Sequence, residues 1–90
     1  MFERDLWIVS DECVQDNGAD WPKLVWVIDS RNEKNPVPIG TFPSPPVEVF
    51  AKRGGRFGAH NLHENLPIPT SCKSDTLIIG TFFNGGVRVF

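Results

Sequence analysis

The sequence lacks any long apolar run, which excludes a membrane-spanning helix. Its longest uninterrupted apolar stretch, Leu24–Ile28, has about five residues, whereas a membrane-spanning helix needs about 20. The first residues also lack the apolar centre of a secretory signal, because Glu3 and Asp5 interrupt them. We therefore expect a cytoplasmic protein with no membrane partner.

An excess of positive charge is also missing. The chain carries 9 Lys and Arg against 11 Asp and Glu, for a formal net charge of −2. Such a chain has no general attraction for phosphate backbones, so we do not expect nucleic acid as a partner. Cysteine is scarce: Cys13 and Cys72 stand far apart without C-x-x-C spacing. This pattern predicts reduced, buried thiols rather than a disulfide.

Helical periodicity is the third absence, since no stretch repeats its apolar residues every 3.6 positions. The sequence has instead short apolar runs separated by turn residues, including 8 Gly and 8 Pro. A length of 90 residues allows one domain. We therefore predict a single all-β domain over residues 1–90, folded as an antiparallel meander.

Six short segments have the composition of strands. Asp16–Gly18 and Asn84–Gly86 join neighbouring segments, and both contain residues that tolerate positive φ, as hairpin turns require. Pro38 cannot donate a ladder hydrogen bond, so its strand should lie at a sheet edge. The predicted strands are Leu6–Val9, Leu24–Ile28, Val37–Phe42, Val47–Phe50, Leu77–Phe83 and Val87–Phe90.

Two of these runs share one plan and resemble a known repeat. Leu24–Asp29 reads LVWVID and is followed by a polar segment and then Asn35–Gly40, NPVPIG; Gly85–Phe90 looks like a second such run, and His60–Asn61 precedes an apolar strand. In these features the chain resembles the LVIVD-repeat β-propeller family.

The resemblance implies incomplete propeller blades. A propeller closes with about four to eight blades, and this chain supplies about one and a half to two. Repeat units bury their apolar faces against neighbouring units. We therefore expect a fragment of a larger repeat protein or a chain that self-associates, with further blades or a second copy as its partner.

The segment Lys52–Pro67 concentrates the polar residues that could bind a ligand. His60, His63 and Glu64 could hold a divalent metal, because imidazole and carboxylate suit zinc, copper or iron. In a regular strand the two histidines would point to opposite faces, so the site requires a turn. The resemblance extends to selenium-binding-type propellers, some of which hold metal through histidines. The alternative is that His60 hydrogen-bonds the backbone at a blade junction.

A basic, glycine-rich loop occupies the start of the same segment. Lys52, Arg53 and Arg56 lie among three glycines, and they could bind an anion through positive charge and backbone N–H groups. The loop is not a P-loop, because no G-K-[ST] opens a helix. The alternative is an exposed, solvated loop.

No catalytic arrangement is visible in the sequence. Ser10 and Ser71 lack the context of a nucleophile elbow, and nothing around Cys72 indicates an activated thiol. The acidic residues of the first loop lack the spacing of a calcium loop. We therefore expect a non-catalytic scaffold or binding module without a cofactor. The alternative is a fragment of a metal-dependent, oxidoreductase-like propeller with the divalent metal described above.

Overall fold

Two antiparallel sheets organise the chain in the computed structural model, which describes residues 4–90. The first sheet has the order β1-β2-β3, and the second pairs β4 with β5. All of these strand pairs are antiparallel, so the all-β, antiparallel prediction is confirmed. Glu3, used in the prediction about the start of the chain, lies outside the described residues. The strands are β1 (Leu6–Ser10), β2 (Val25–Asp29), β3 (Val37–Thr41), β4 (Ile79–Thr81) and β5 (Val87–Val89).

The first hairpin forms as the two apolar runs and the turn between them predict. Leu6 pairs with Asp29 at one end of the ladder, and Ser10 pairs with Val25 at the other. In the long connection, Asn17 and Gly18 have φ of 59° and 68°, the left-handed backbone predicted for this turn.

Strand β3 lies at the edge of its sheet, as its proline predicts. It pairs with β2 alone, and the register shifts between Val27 and Ile28. All five of its residues are exposed. An edge position is compatible with Pro38, because no second neighbour there needs its missing N–H.

The predicted strand Val47–Phe50 is wrong, because these residues form a one-turn helix, α1. The Phe50 N–H donates to the Pro46 carbonyl at 3.2 Å, and a 3-10 turn, Ala51–Arg53, continues the path. Val47 and Phe50 are half-buried while the residues between them are exposed. Four residues with apolar positions at both ends suit a strand or a helical turn equally well, so the local pattern could not separate them.

One buried cluster joins the two sheets. Val25, Ala59 and Phe82 form its centre, and Ile8 and Phe90 are among the half-buried residues packed against it. Burial of these side chains is the main source of stability in so short a chain.

Phe57 forms a second centre of packing. It is fully buried, with the ring of Trp21 at 5.5 Å and that of Phe50 at 6.2 Å between centroids. The two cysteines lie in different surroundings, since Cys13 is buried, Cys72 is exposed, and both are free. The expectation that both thiols are buried is therefore wrong for Cys72.

Candidate binding groove and the predicted ligand residues

Residues 60–63 extend the second sheet beyond β4. The His60 N–H donates to the Thr81 carbonyl at 2.9 Å, and the His63 N–H donates to the Ile79 carbonyl at 2.7 Å. Between these bonds Leu62 forms an antiparallel bridge with Gly80. The second sheet therefore presents residues 60–63 on one side of β4 and β5 on the other.

Hydrogen bonds join β1 and the loop after it to residues 59 and 60. The Ser10 hydroxyl, at the end of β1, donates to the His60 carbonyl at 2.6 Å. Close by, the Cys13 N–H donates to the Ala59 carbonyl at 3.3 Å. Within residues 4–90, no backbone hydrogen bond joins β1 to residues 61–66 beyond this point.

A groove of about 1050 Å³ occupies the space between β1 and residues 60–66. Its walls differ in character, because β1 contributes four apolar side chains and Ser10, whereas residues 60–66 are mostly polar. Trp7 and Val9 on one wall and Leu66 and Leu77 on the other are large apolar side chains left exposed. The lining consists of Leu6, Trp7, Ile8, Val9, Ser10, His60, Asn61, Leu62, His63, Glu64, Asn65, Leu66, Ser74, Asp75, Leu77 and Ile78.

The backbone of β1 presents hydrogen-bonding groups to this groove. The Ser30 N–H donates to the Asp5 carbonyl at 2.8 Å, and the Asp11 N–H donates to the Leu24 carbonyl at 2.9 Å. These bonds show that the odd-numbered residues of β1 direct their backbone N–H and C=O groups toward β2. Backbone direction alternates along an antiparallel strand, so Leu6, Ile8 and Ser10 direct their N–H and C=O groups to the open edge.

The opposite wall offers one comparable position. The bridge of Leu62 with Gly80 is flanked by the hydrogen bonds His63 to Ile79 and Thr81 to Asn61. A residue flanked in this way points its own N–H and C=O away from the paired strand. Leu62 therefore directs its backbone groups away from β4. The groove thus has one open strand edge, β1, which faces a segment bridged to β4 at Leu62.

The charge of the groove is negative. Glu64 and Asp75 are its two carboxylates, and neither Lys nor Arg is among its lining residues. Within residues 4–90, neither carboxylate forms a salt bridge or accepts a side-chain hydrogen bond. Both side chains are therefore available to a positively charged group from outside.

His60, one of the predicted metal ligands, has a different acidic neighbour. Its Nε2 lies 3.4 Å from Glu12 Oε1, and its ring lies 4.7 Å from that of Phe83. Glu12 also contacts Arg56, at 3.6 Å between Oε1 and Nη1. Sequence reasoning missed Glu12 as a partner, since it lies in the first loop. The acidic run Asp11–Glu12 was the only available signal.

The other two predicted metal ligands, His63 and Glu64, line the groove with His60. His63 Nε2 forms a short contact with the carbonyl oxygen of Cys72. Across residues 4–90, no three His, Cys, Asp or Glu side chains are grouped so that they could hold a metal ion. The structure therefore does not assemble His60, His63 and Glu64 into one ligand set, and metal binding by these residues stays a prediction.

Two of the three predicted anion-binding residues form cation–π contacts with different aromatic rings. The Arg53 guanidinium lies 4.5 Å above the Phe50 ring, and that of Arg56 lies 5.5 Å above the Phe83 ring. Lys52 is exposed in the 3-10 turn. Each of the two guanidinium groups is therefore engaged by a different ring. Anion binding by the three residues stays a prediction.

The carbonyl groups of the basic loop already have donors. The Asn17 N–H donates to the Gly55 carbonyl at 2.8 Å, and the Asn84 side-chain amide forms a short bond to the Gly54 carbonyl. These contacts fix the loop against the first hairpin connection and the β4–β5 turn. The positive φ of Gly54 and Gly55, 81° and 69°, allows this path.

The buried thiol of Cys13 is held in a non-nucleophilic state. Burial raises the pKa of Cys13, and the neighbouring Asp20 carboxylate raises it further. The thiol contacts Asp20 Oδ1 at 3.2 Å and the Gln15 carbonyl at 3.2 Å. A buried thiol with a raised pKa is poorly placed for nucleophilic attack.

Comparisons of the chain with protein-family models, with curated proteins and with solved structures found no match. The resemblance to the LVIVD-repeat propellers therefore stays a prediction. Among residues 4–90, no helix has the length and apolar character needed to cross a membrane.

Proposed function

We propose that this chain is a non-catalytic binding module that holds its partner in the groove between β1 and residues 60–66. The observation that carries the proposal is a groove of about 1050 Å³, one wall of which is the open edge of β1 with its free backbone groups. Exposed sheet edges of this kind pair readily with another chain. The open edge of β1 therefore offers a surface on which a partner can bind.

The polar side chains of the groove support binding rather than chemistry. The Ser10 hydroxyl donates to the His60 carbonyl, and the His63 ring contacts the Cys72 carbonyl. A nucleophile needs an adjacent base, and a base needs reach to a substrate proton. Ser10 and His63 are engaged instead in contacts that connect segments of the fold.

The LVIVD-repeat type is the module class that we propose. Its support is the sequence LVWVID at Leu24–Asp29, followed by NPVPIG at Asn35–Gly40, which leads into the edge strand β3. In that setting, further blades or a second copy would cover the apolar edges of the chain. We also place the module in the cytoplasm, because Cys13 and Cys72 are both free thiols, as is usual in a reducing compartment.

Mapping of ligand binding by amide NMR tests the proposal. Pools of linear peptides and of small-molecule fragments are added separately to the full chain, and each pool is afterwards checked by mass spectrometry. We expect bound ligands to shift the amide signals of Leu6–Ser10 and residues 60–66, to leave those of Val37–Thr41 unchanged, and to be recovered intact. Turnover of a ligand, shifts confined to other surfaces, or no binding by either pool would contradict the proposal.

A further inference from the structure

We propose that the occupant of the groove is an extended polypeptide segment of another protein, in which apolar and basic side chains alternate, and which adds as a strand to the free edge of β1. This inference rests on the proposed function and names the chemical class of the partner.

The backbone of β1 is suited to strand addition. Leu6, Ile8 and Ser10 present N–H and C=O groups at every second residue, which is the repeat that an added strand requires. The edge of β1 contains no proline, whereas the other edge of the same sheet carries Pro38. Proline is one of the devices that discourage pairing at an edge. The edge of β1 that borders the groove is therefore open to pairing.

The side chains of the walls favour an extended occupant over a helix. Trp7 and Val9 project from β1, and Leu66 and Leu77 lie on the facing wall. Successive side chains of a strand point to opposite faces, so a single strand can contact apolar groups on one face and polar groups on the other. A helix has no free backbone groups with which to satisfy those of Leu6 and Ile8.

Charge complementarity selects basic side chains in the occupant. Glu64 and Asp75 line the groove without a salt bridge, and no lysine or arginine lines it. A lysine or arginine of the partner would form ion pairs with them, while an acidic segment would be repelled. The same carboxylates disfavour anionic occupants such as nucleic acid.

Titration of the full chain with synthetic peptides tests this inference. The probe is a capped peptide of about seven residues, TVKVKVT, long enough to cover the 5 residues of β1. Its matched control is TVEVEVT, with the opposite charge. We expect the basic peptide to bind about tenfold or more tightly than the acidic one, and added salt to reduce the difference.

Two N-methylated versions of TVKVKVT test main-chain pairing. Each is methylated at alternate residues, so that one version loses the N–H groups along one edge of the peptide strand and the other loses those along the opposite edge. The version that lacks the N–H groups facing β1 should lose binding. Hydrogen exchange should slow at the amides of Leu6 and Ile8, which face the groove. Exchange at Trp7 and Val9, which already face β2, should stay the same.

Paired variants of the chain test the charge argument. Glu64→Gln with Asp75→Asn should weaken TVKVKVT binding about fivefold, since exposed ion pairs contribute modestly. The matched control is Glu33→Gln with Glu48→Gln, which makes the same change in net charge at two exposed residues away from the groove. This control should leave the affinity unchanged. An equal loss in both double variants would overturn the charge argument.

Other outcomes overturn the inference and leave the proposed function distinguishable. If small-molecule fragments bind in the groove and no peptide does, the proposed binding function stands and the strand-addition inference is wrong. Equal binding by both N-methylated versions would exclude strand addition. A dimer of the free chain that already protects the Leu6 and Ile8 amides would make a second copy the occupant and overturn the proposal.

Discussion

At the scale of single residues, Asp20 organises the loop that follows β1. Its carboxylate accepts hydrogen bonds from the Val14 N–H at 2.9 Å and the Gln15 N–H at 3.3 Å, and it contacts the buried Cys13 thiol. These bonds favour the ionised carboxylate. They lower the pKa of Asp20 below its ordinary value of 3.8, and the Val14 N–H has the largest effect.

This lowered pKa predicts a pH-dependent loss of stability when Asp20 is replaced. Because the pKa of Asp20 is lower in the folded state, its ionised form stabilises the fold above about pH 4, and this stabilisation disappears as pH falls through the folded-state pKa. Asp20→Asn should therefore lower the free energy of unfolding at pH 7. The difference from the unsubstituted chain should shrink at pH 3.

Urea denaturation at the two pH values measures the effect of Asp20. Asp16→Asn is the matched control, since Asp16 lies in the same loop with an exposed side chain. The control should change the free energy of unfolding little at either pH. A difference between Asp20→Asn and the unsubstituted chain that is constant from pH 7 to pH 3 would refute this role of Asp20.

At the scale of structural elements, the buried segment 57–59 connects the two sheets. Phe57 and Ala59 are fully buried on either side of Gly58, which has φ of 144°. A Cβ atom at Gly58 would lie 2.9 Å from Cys13 Cβ and 3.0 Å from Lys23 Cβ. The first hairpin therefore packs directly on the backbone of this segment, which positions His60 at the end of the groove.

Replacement of Gly58 by alanine should weaken the packing of the first hairpin on this segment. Gly58→Ala combines a steric overlap with backbone strain, and we expect a loss of about 1–3 kcal/mol in the free energy of unfolding. Gly40→Ala is the control, because a Cβ atom there would meet nothing within 4 Å. It should change stability by less than about 1 kcal/mol. Thermal or urea denaturation measures both variants, and similar values for the two would show that the close approach has no energetic cost.

At the scale of the whole molecule, the chain is thin and leaves apolar strands uncovered. Its principal extents are 39 × 34 × 18 Å, and the smallest of them allows about two layers of structure. On β5, Val87 and Val89 are 63% and 60% exposed. This strand lies on the far side of β4 from the groove, so contacts there leave the groove accessible.

Because Val87 and Val89 of β5 are exposed, we expect the chain to self-associate through this strand. We expect sedimentation velocity to show concentration-dependent association of the chain. Val87→Thr with Val89→Thr should weaken it, because the strand propensity is kept while apolar area is lost. Val14→Thr, at an exposed loop position, is the control and should have no effect. A single monomeric species at all concentrations would refute the expectation.

By itself the sequence determined most of the strands and the turns between them, because both depend on neighbours within a few residues. The short run of β-branched and aromatic residues in Leu24–Ile28 and the positive φ tolerated at Asn17–Gly18 specify local backbone without reference to the rest of the chain. Pro38 likewise specified an edge strand, since the missing N–H is a property of one residue.

Only the tertiary structure decided which segments meet. The choice of a helical turn at Val47–Phe50 depended on which neighbours surround it, and its four-residue pattern fits either state. Glu12, rather than Glu64, lies beside His60 because the first loop packs on the segment that precedes this histidine. The groove exists because, within residues 4–90, the hydrogen bond between β1 and residues 60–66 is made at Ser10, a long-range contact that no local pattern encodes.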